Sequence, residues 1–284
     1  HLNVAAWNVI KSLTEQFQID LIIDTGDISD HGTKAENRAL AEVGTLDVPY
    51  VYVRGNHDSK ATEKAMAAQE NVTVLDGQAA TIAGLRIYGV GDPRFTPDKS
   101  AEQYSDERLV TLGREHALRV VPPERPAVRT MSTSAPTRIP ADLVAVHDPT
   151  MGRSFSGSTA LVLAGHAHQR STELLPTGTR IMVQGSTGGA GLRGLEHEEP
   201  TPIQASVLYF SKDTNRLQAW DDITIGGLGE QSVQIQRHLE ADPGRTIFSE
   251  PVPTPSPAES PTPTSSPAES GSPSPTGTKT STQG

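Results

Sequence analysis

The chain has 284 residues, a formal net charge of −10 at pH 7 and no cysteine. The missing thiols exclude disulfides, thiolate zinc sites and cysteine nucleophiles, and the acidic balance argues against passive attraction to DNA, RNA or anionic lipid. No apolar run approaches the ~20 residues needed to cross a bilayer. The composition therefore favours one large globular domain with a sizeable core.

The first part of the chain predicts alternating helices and strands. Apolar residues at spacings of three and four predict a first helix, and two buried apolar runs predict strands around a second helix. Thr33 and Glu36 have the spacing of a capping box, so the second helix should begin there. Parallel strands joined by a helix form a right-handed unit. The predicted elements are a helix over 5–17, a strand over 20–24, a helix over 34–43 and a strand over 48–53.

Strands dominate the prediction for the rest of the domain. A hairpin is expected about Gly84, and the pattern weakens over 96–140, which we interpret as a surface insertion with a helix at about 102–121. Because long helices are missing between the later strands, that half of the sheet should be mixed or antiparallel. The further predicted elements are a helix over 61–69 and strands over 72–75, 85–90, 143–146, 161–164, 180–184, 206–210 and 217–225.

The last part of the chain differs in composition from the rest. It is rich in Pro, Ser and Thr and nearly free of large apolar residues, so it cannot bury enough apolar surface to offset its ordering entropy. We therefore predict a folded domain over 1–238 and a disordered tail over 239–284. Such a tail is typical of an exported or membrane-associated bacterial protein whose anchor lies outside this sequence, although a cytoplasmic location stays open.

Polar side chains follow four apolar strands directly. In open α/β sheets, ligands bind at the carboxyl ends of the strands, so these side chains should meet at one edge. Carboxylate, amide and imidazole groups are ligands for divalent metals. The residues concerned are Asp27 after the second element, Asn56, His57 and Asp58 after the next strand, His147, and the pair His166 and His168.

The order of these motifs, Gly-Asp, then Gly-Asn-His-Asp, then a strand-end His, then Gly-His-x-His, resembles the calcineurin-like metallophosphoesterases. The resemblance extends from His1 to about Ile225. It implies an α/β fold with α+β character, a two-layer β-sandwich of mixed sheets flanked by helices. That family begins with Asp-x-His after its first strand. We therefore interpret His1 as the His of that motif and expect the strand and its Asp to lie upstream.

The resemblance also implies a dinuclear metal site in which Asp27 bridges two divalent ions. Manganese is the expected metal, with iron or zinc as alternatives. A hydroxide bridging the two ions would attack phosphorus, and the ions would neutralise charge on the phosphoryl oxygens. The expected ligands are His1, Asp27 and His168 for one ion and Asp27, Asn56, His147 and His166 for the other.

His57, beside the ligand Asn56, is the expected general acid, and Asp58 is expected to orient its ring. Other residues are weaker candidates because they lie on loops near the predicted site or beside a ligand. We expect Asp24 to hydrogen-bond within the fold and Asp148 to support His147. The weaker candidates for substrate contact are His31, Arg94, Arg193 and His197.

The implied activity is hydrolysis of a phosphate monoester or diester, and the acidic charge favours a small-molecule substrate over nucleic acid. No nucleic-acid partner is expected, and the residues leave the oligomeric state open. Two alternatives remain. One is a non-catalytic scaffold of the same fold, and the other is a nuclease, which would require a basic groove in the insertion over 96–140.

Overall fold

The computed structural model describes residues 3–99, 104–123, 138–188, 202–226 and 232–249. His1, Arg193, His197 and the tail from 250 onward therefore lie outside the described residues, as does much of the predicted insertion. The helices are α1 Val4–Phe17, α2 Lys34–Ala39, α3 Lys60–Ala67, α4 Asp106–Ala117 and α5 Pro149–Arg153, with a 3₁₀ helix at Leu40–Thr45. Within the described ranges, no helix is both long and apolar enough to span a membrane.

The described residues also form fourteen strands, of which the last six follow one another without an intervening helix. They are β1 Ile22–Asp24, β2 Tyr50–Tyr52, β3 Val72–Val74, β4 Gln78–Ile82, β5 Leu85–Val90, β6 Val120–Val121, β7 Ile139–Pro140, β8 Leu143–Val146, β9 Leu161–Ala164, β10 Ser171–Leu174, β11 Arg180–Val183, β12 Ile203–Phe210, β13 Leu217–Ile225 and β14 Val233–Leu239.

These strands form three main sheets. A parallel sheet has the order β1-β2-β3, and a six-stranded sheet has the order β10-β11-β9-β8-β5-β4. In the larger sheet β5, β8, β9 and β11 are parallel, while the outer strands β4 and β10 pair antiparallel with their neighbours. The third sheet, β12-β13-β14, is antiparallel throughout. The prediction of mixed and antiparallel pairing in the later half is confirmed.

The central core lies between the six-stranded sheet and the two smaller sheets. It joins Ile87 and Leu161 of the larger sheet with Val51 of β2 and Trp220 of β13, all nearly or fully buried. Helices cover the outer faces. The α4 and α5 helices pack on the six-stranded sheet through residues such as Leu109 and Met151, and α1, the 3₁₀ helix and α3 pack on the β1-β2-β3 sheet. This is the two-layer sandwich flanked by helices that the resemblance implied.

Several local predictions differ from the structure. The helix expected over 34–43 has the predicted capping box of Thr33 and Glu36, but it tightens into a 3₁₀ helix after Ala39. The helix expected over 102–121 is α4 in the described residues, and Val120–Val121, which were expected to be helical, form strand β6 instead. Strand β10 was not predicted because its residues are polar and exposed on both faces; it forms by pairing with β11.

The predicted domain boundary at 238 is also too early. Strand β14 runs through it to Leu239, and the N–H of Phe248 donates a hydrogen bond to the carbonyl of Thr177 at 2.8 Å. The alternation of apolar and polar residues from Val233 to Gln236 is the strand signal that would have indicated this extension. The folded part of the chain therefore includes at least the described residues up to Ser249.

Candidate metal centre

The predicted ligands follow parallel strands that end at the same side of the sandwich. Asp27 comes after β1, Asn56 after β2, His147 after β8 and His166 after β9. Three predicted ligands have a left-handed backbone, with φ of 61° at Asp27, 64° at His166 and 54° at His168. Non-glycine residues rarely adopt this conformation, and strained backbone concentrates at functional sites. The strand ends therefore turn sharply at these positions, and the side chains of Asp27 and His166 reach the same cluster.

Four of the predicted ligands converge on one point. The Oδ1 atom of Asn56 lies 2.9 Å from Nε2 of His147 and 3.0 Å from Nδ1 of His166. His147 Nε2 lies 3.3 Å from Oδ2 of Asp27 and 3.2 Å from His166 Nδ1. Candidate ligand atoms of Asp27, His147 and His166 all lie within 4.8 Å of one another. This is the group that the resemblance assigned to the second ion.

The orientation of these side chains fits a bound cation. Nδ1 of His147 donates a hydrogen bond to the carbonyl oxygen of Thr25 at 2.7 Å, which leaves the lone pair of Nε2 directed at the cluster. The amide nitrogen of Asn56 donates to the hydroxyl of Thr96 at 2.5 Å, so its carbonyl oxygen faces inward. A set of imidazole nitrogens, an amide oxygen and a carboxylate suits manganese, iron or zinc.

The electrostatics of the cluster also favour added positive charge. Burial opposes the charged form of His147, but the carboxylate of Asp27 outweighs it and raises the pKa of His147 to about 9. Burial likewise opposes ionisation of Asp27, yet His147 and the N–H of His57 hold the pKa of Asp27 below its ordinary value. Burial and the neighbouring His147 lower the pKa of His166. A cation among these groups would supply the charge that Asp27 otherwise draws from His147.

The expected pairing of Asp58 with His57 is wrong. Nδ1 of His57 instead donates to the carbonyl oxygen of Asp30 at 2.7 Å, so a backbone group sets the ring. Asp58 is fully buried and binds the neighbouring loops together. Its carboxylate accepts hydrogen bonds from the N–H groups of Asp27, Ile28, Ser29 and Gly55 and from the hydroxyls of Ser29 and Tyr52.

The structure also changes the expected partners of Arg94 and Asp148. Arg94 makes ion pairs of 2.6 Å with both Asp92 and Asp148, so its guanidinium is directed at protein carboxylates. The carboxylate of Asp148 lies 3.7 Å from Nε2 of His166, rather than beside His147 as expected. The sequence did not predict these contacts, because Asp92 belongs to none of the recognised motifs and lies far from Asp148 in the chain.

The remaining described candidates lie around this cluster. Asp24 accepts hydrogen bonds from the hydroxyl of Tyr50 and the N–H of Gly26, both at 2.7–2.8 Å, which agrees with its expected role inside the fold. The ring of His31 is largely exposed, 4.0 Å from Glu36. His168 lies outside the close group; with Asp27 and His166 it lines a cavity of about 550 Å³ between α1, β1 and β12.

The sequence model of the family described as calcineurin-like phosphoesterase matches residues 3–170. The chain is 31% identical over 164 residues to a protein from Arcobacter nitrofigilis named probable glycerophosphodiester phosphodiesterase GpdQ. That alignment covers 55% of this chain and 59% of the relative, so the chain spans less than two thirds of its length.

Two solved structures overlap with much of this chain. Vps29 from Chaetomium thermophilum overlaps with a TM-score of 0.39 at 14% identity, over 81% of this chain and 86% of that chain. A dimetal phosphatase from Danio rerio overlaps with a TM-score of 0.39 at 12% identity, over 83% of this chain and 88% of that chain.

Proposed function

The chain belongs to the calcineurin-like phosphoesterase family, and we propose that it is a metal-dependent hydrolase of small-molecule phosphodiesters. The observation that carries this proposal is the convergence of Asp27, Asn56, His147 and His166 on one point. The family implies divalent metal, and these residues fit it. Manganese as the metal and two ions per chain are part of the proposal.

The residues of the chain would divide the work as follows. Asp27, Asn56, His147 and His166 would hold one cation, and Asp27 with His1 and His168 would hold the other. Bound divalent ions supply activation of water and neutralisation of charge on phosphoryl oxygens. The ligand side chains would keep the site rigid, because His147 is held by Thr25 and Asn56 by Thr96.

His57 is the proposed general acid for the leaving group. Its backbone N–H donates to Asp27 Oδ1 at 2.8 Å, which places it beside the cluster. Since Nδ1 donates to the carbonyl of Asp30, Nε2 is the nitrogen that would carry the proton to the leaving oxygen. The carbonyl replaces the carboxylate partner that was expected in Asp58.

The choice of a diester rests on the relative from Arcobacter nitrofigilis, which is named a probable glycerophosphodiester phosphodiesterase. The net charge of −10 supports a small substrate over nucleic acid. We keep monoester hydrolysis as the second candidate because the same metal chemistry serves both. The Pro/Ser/Thr-rich tail supports the further proposal of an exported or membrane-associated protein.

The test combines metal analysis with assays on the full chain. We expect about two metal ions per chain and manganese-dependent hydrolysis of bis-p-nitrophenyl phosphate that exceeds hydrolysis of p-nitrophenyl phosphate. Asp27→Asn should lose metal and turnover, whereas His57→Ala should keep metal and lose about 10²–10⁴-fold in kcat. The exposed Asp213→Asn is the matched control and should behave as wild type. A wild-type chain that binds manganese without hydrolysing either ester would support a scaffold instead.

A further inference from the structure

The segment that follows β5 lies along the loop that carries Asn56. The N–H of Asp92 donates to the carbonyl of Arg54 at 2.7 Å, and the N–H of Thr96 donates to the carbonyl of Asn56 at 2.8 Å. The Arg54 guanidinium adds a hydrogen bond of 3.1 Å to the carbonyl of Arg94. Three hydrogen bonds thus align the segment Asp92–Thr96 with the metal-binding loop, although it contributes none of the proposed ligands.

Thr96 holds the Asn56 amide with its oxygen toward the centre. Its hydroxyl oxygen accepts from Nδ2 of Asn56 at 2.5 Å. Oδ1 therefore faces Nε2 of His147 and Nδ1 of His166. A rotated amide would present N–H groups, which bind no cation. The hydroxyl thus holds the amide in the orientation in which Asn56 can serve as a ligand.

Arg94 acts on a second ligand through a carboxylate. Its Nε and one terminal nitrogen bind both oxygens of Asp92 at 2.9 and 2.6 Å, and that terminal nitrogen also lies 2.6 Å from Oδ2 of Asp148. Both carboxylates are almost fully buried. Oδ2 of Asp148 lies 3.7 Å from Nε2 of His166. The planar guanidinium thus holds Asp148 against the side of the imidazole that faces away from the centre.

A carboxylate on one ring nitrogen of a ligating histidine orients the ring and directs the other nitrogen to the metal. We propose that Asp92–Thr96 is the positioning segment of the metal centre, in which Thr96 orients Asn56 and Arg94 orients His166 through Asp148. This inference rests on the proposed metal-dependent function. Arg94, which was expected to contact the substrate phosphate, is instead assigned the role of orienting the metal ligand His166.

The experiment measures Mn²⁺ affinity of the metal-free full chain by calorimetric titration and follows steady-state kinetics at saturating Mn²⁺. Thr96→Val removes the hydroxyl at nearly constant shape, and Thr96→Ser keeps it. Arg94→Gln removes the ion pairs, and Arg153→Gln is its control because Arg153 pairs with Glu173 on the surface. We expect Thr96→Val and Arg94→Gln each to weaken Mn²⁺ binding by about 10–100-fold, while both controls match wild type.

At saturating Mn²⁺ the KM for bis-p-nitrophenyl phosphate should be unchanged in Arg94→Gln, because the residue does not touch the substrate. An increased KM with unaltered Mn²⁺ affinity would overturn the positioning role and restore the substrate contact. Unaltered Mn²⁺ affinity in Thr96→Val would overturn the role of Thr96 in orienting Asn56. Wild-type chain that binds Mn²⁺ but hydrolyses neither ester would refute the proposed function alone, whereas a failure to bind Mn²⁺ would refute both proposals.

Discussion

At the scale of single residues, neighbouring side chains of one short motif serve different purposes. The amide oxygen of Asn56 faces the candidate metal centre and His57 lies beside it, whereas Asp58 is buried and accepts hydrogen bonds from two loops. The carboxylate oxygens of Asp58 accept hydrogen bonds from donors that would otherwise be buried without a partner. The carboxylate therefore stabilises the backbone that presents Asp27 and has no direct contact to make with a substrate.

Replacing Asp58 with Asn should destabilise the protein strongly. The new amide would point N–H groups at backbone N–H donors of the Asp27 loop, so several buried hydrogen bonds would be lost. We expect a loss of about 3 kcal/mol or more in the free energy of unfolding, since bonds to charged groups contribute roughly 1.5–3 kcal/mol each. Chemical denaturation measures this loss, with the exposed Asp213→Asn as control. A near wild-type stability would contradict the role of Asp58 in holding the two loops together.

At the scale of elements, the centre depends on two loops that touch through glycines. Gly26 has a φ of +94°, and a Cβ atom there would meet the backbone of Gly55. A Cβ atom at Gly55 would in turn collide with the backbone N and the Oδ1 of Asp27. The loops after β1 and β2 can therefore approach closely only without side chains at these positions. The strands β1 and β2 have only three residues each, and they suffice to position the loops because the loops are held together at this contact.

Gly55→Ala should consequently disrupt the centre. The added methyl group has to displace the carboxylate of Asp27, so we expect weaker Mn²⁺ binding by at least about 10-fold and a loss of stability of about 1–3 kcal/mol. Titration of metal-free protein and thermal melting measure the two effects. Gly244→Ala is the matched control because its new Cβ atom has room. Unchanged Mn²⁺ affinity in Gly55→Ala would show that the loops can separate without consequence.

At the scale of the whole molecule, a buried ion-pair network links the end of β14 to the six-stranded sheet. Glu240 follows β14 and binds Arg180 of β11 through two hydrogen bonds of 2.7 and 3.0 Å, and Arg245 lies 3.0 Å from the same carboxylate. Burial opposes ionisation of Glu240, but the two guanidinium groups outweigh it and hold its pKa below the ordinary 4.5.

The depressed pKa determines how this network depends on pH. Its stabilisation is fully present above pH 4.5 and is lost as the pH falls through the lower pKa of the folded state. Glu240→Gln should therefore be about 2–3 kcal/mol less stable than wild type at pH 7, and the difference should shrink progressively below pH 4.5. Denaturation across pH measures this convergence, with the exposed Glu173→Gln as control. A stability difference between Glu240→Gln and wild type that does not change with pH would mean that the loss comes from packing and not from the ion pairs.

Much of the fold was predictable because its signals are local. The helix α1, the capping box before α2, the hairpin at Gly84 and the strands β8 and β9 follow from periodicity and turn chemistry within a few residues. The sequence alone also determined the family and which strand ends carry Asp27, Asn56, His147 and His166. Apolar runs that end at polar residues can be recognised in the sequence without knowledge of the rest of the chain.

Only the tertiary structure decided how these groups are held. Asp30 rather than Asp58 orients His57, Asp148 lies beside His166 rather than His147, and Arg94 pairs with Asp148. Each of these contacts joins loops that are distant in the chain, and polar loop residues can pair in many ways of similar energy. Which pairing forms depends on the sheet order and on the close approach of Gly26 and Gly55, and neither is encoded in a local pattern.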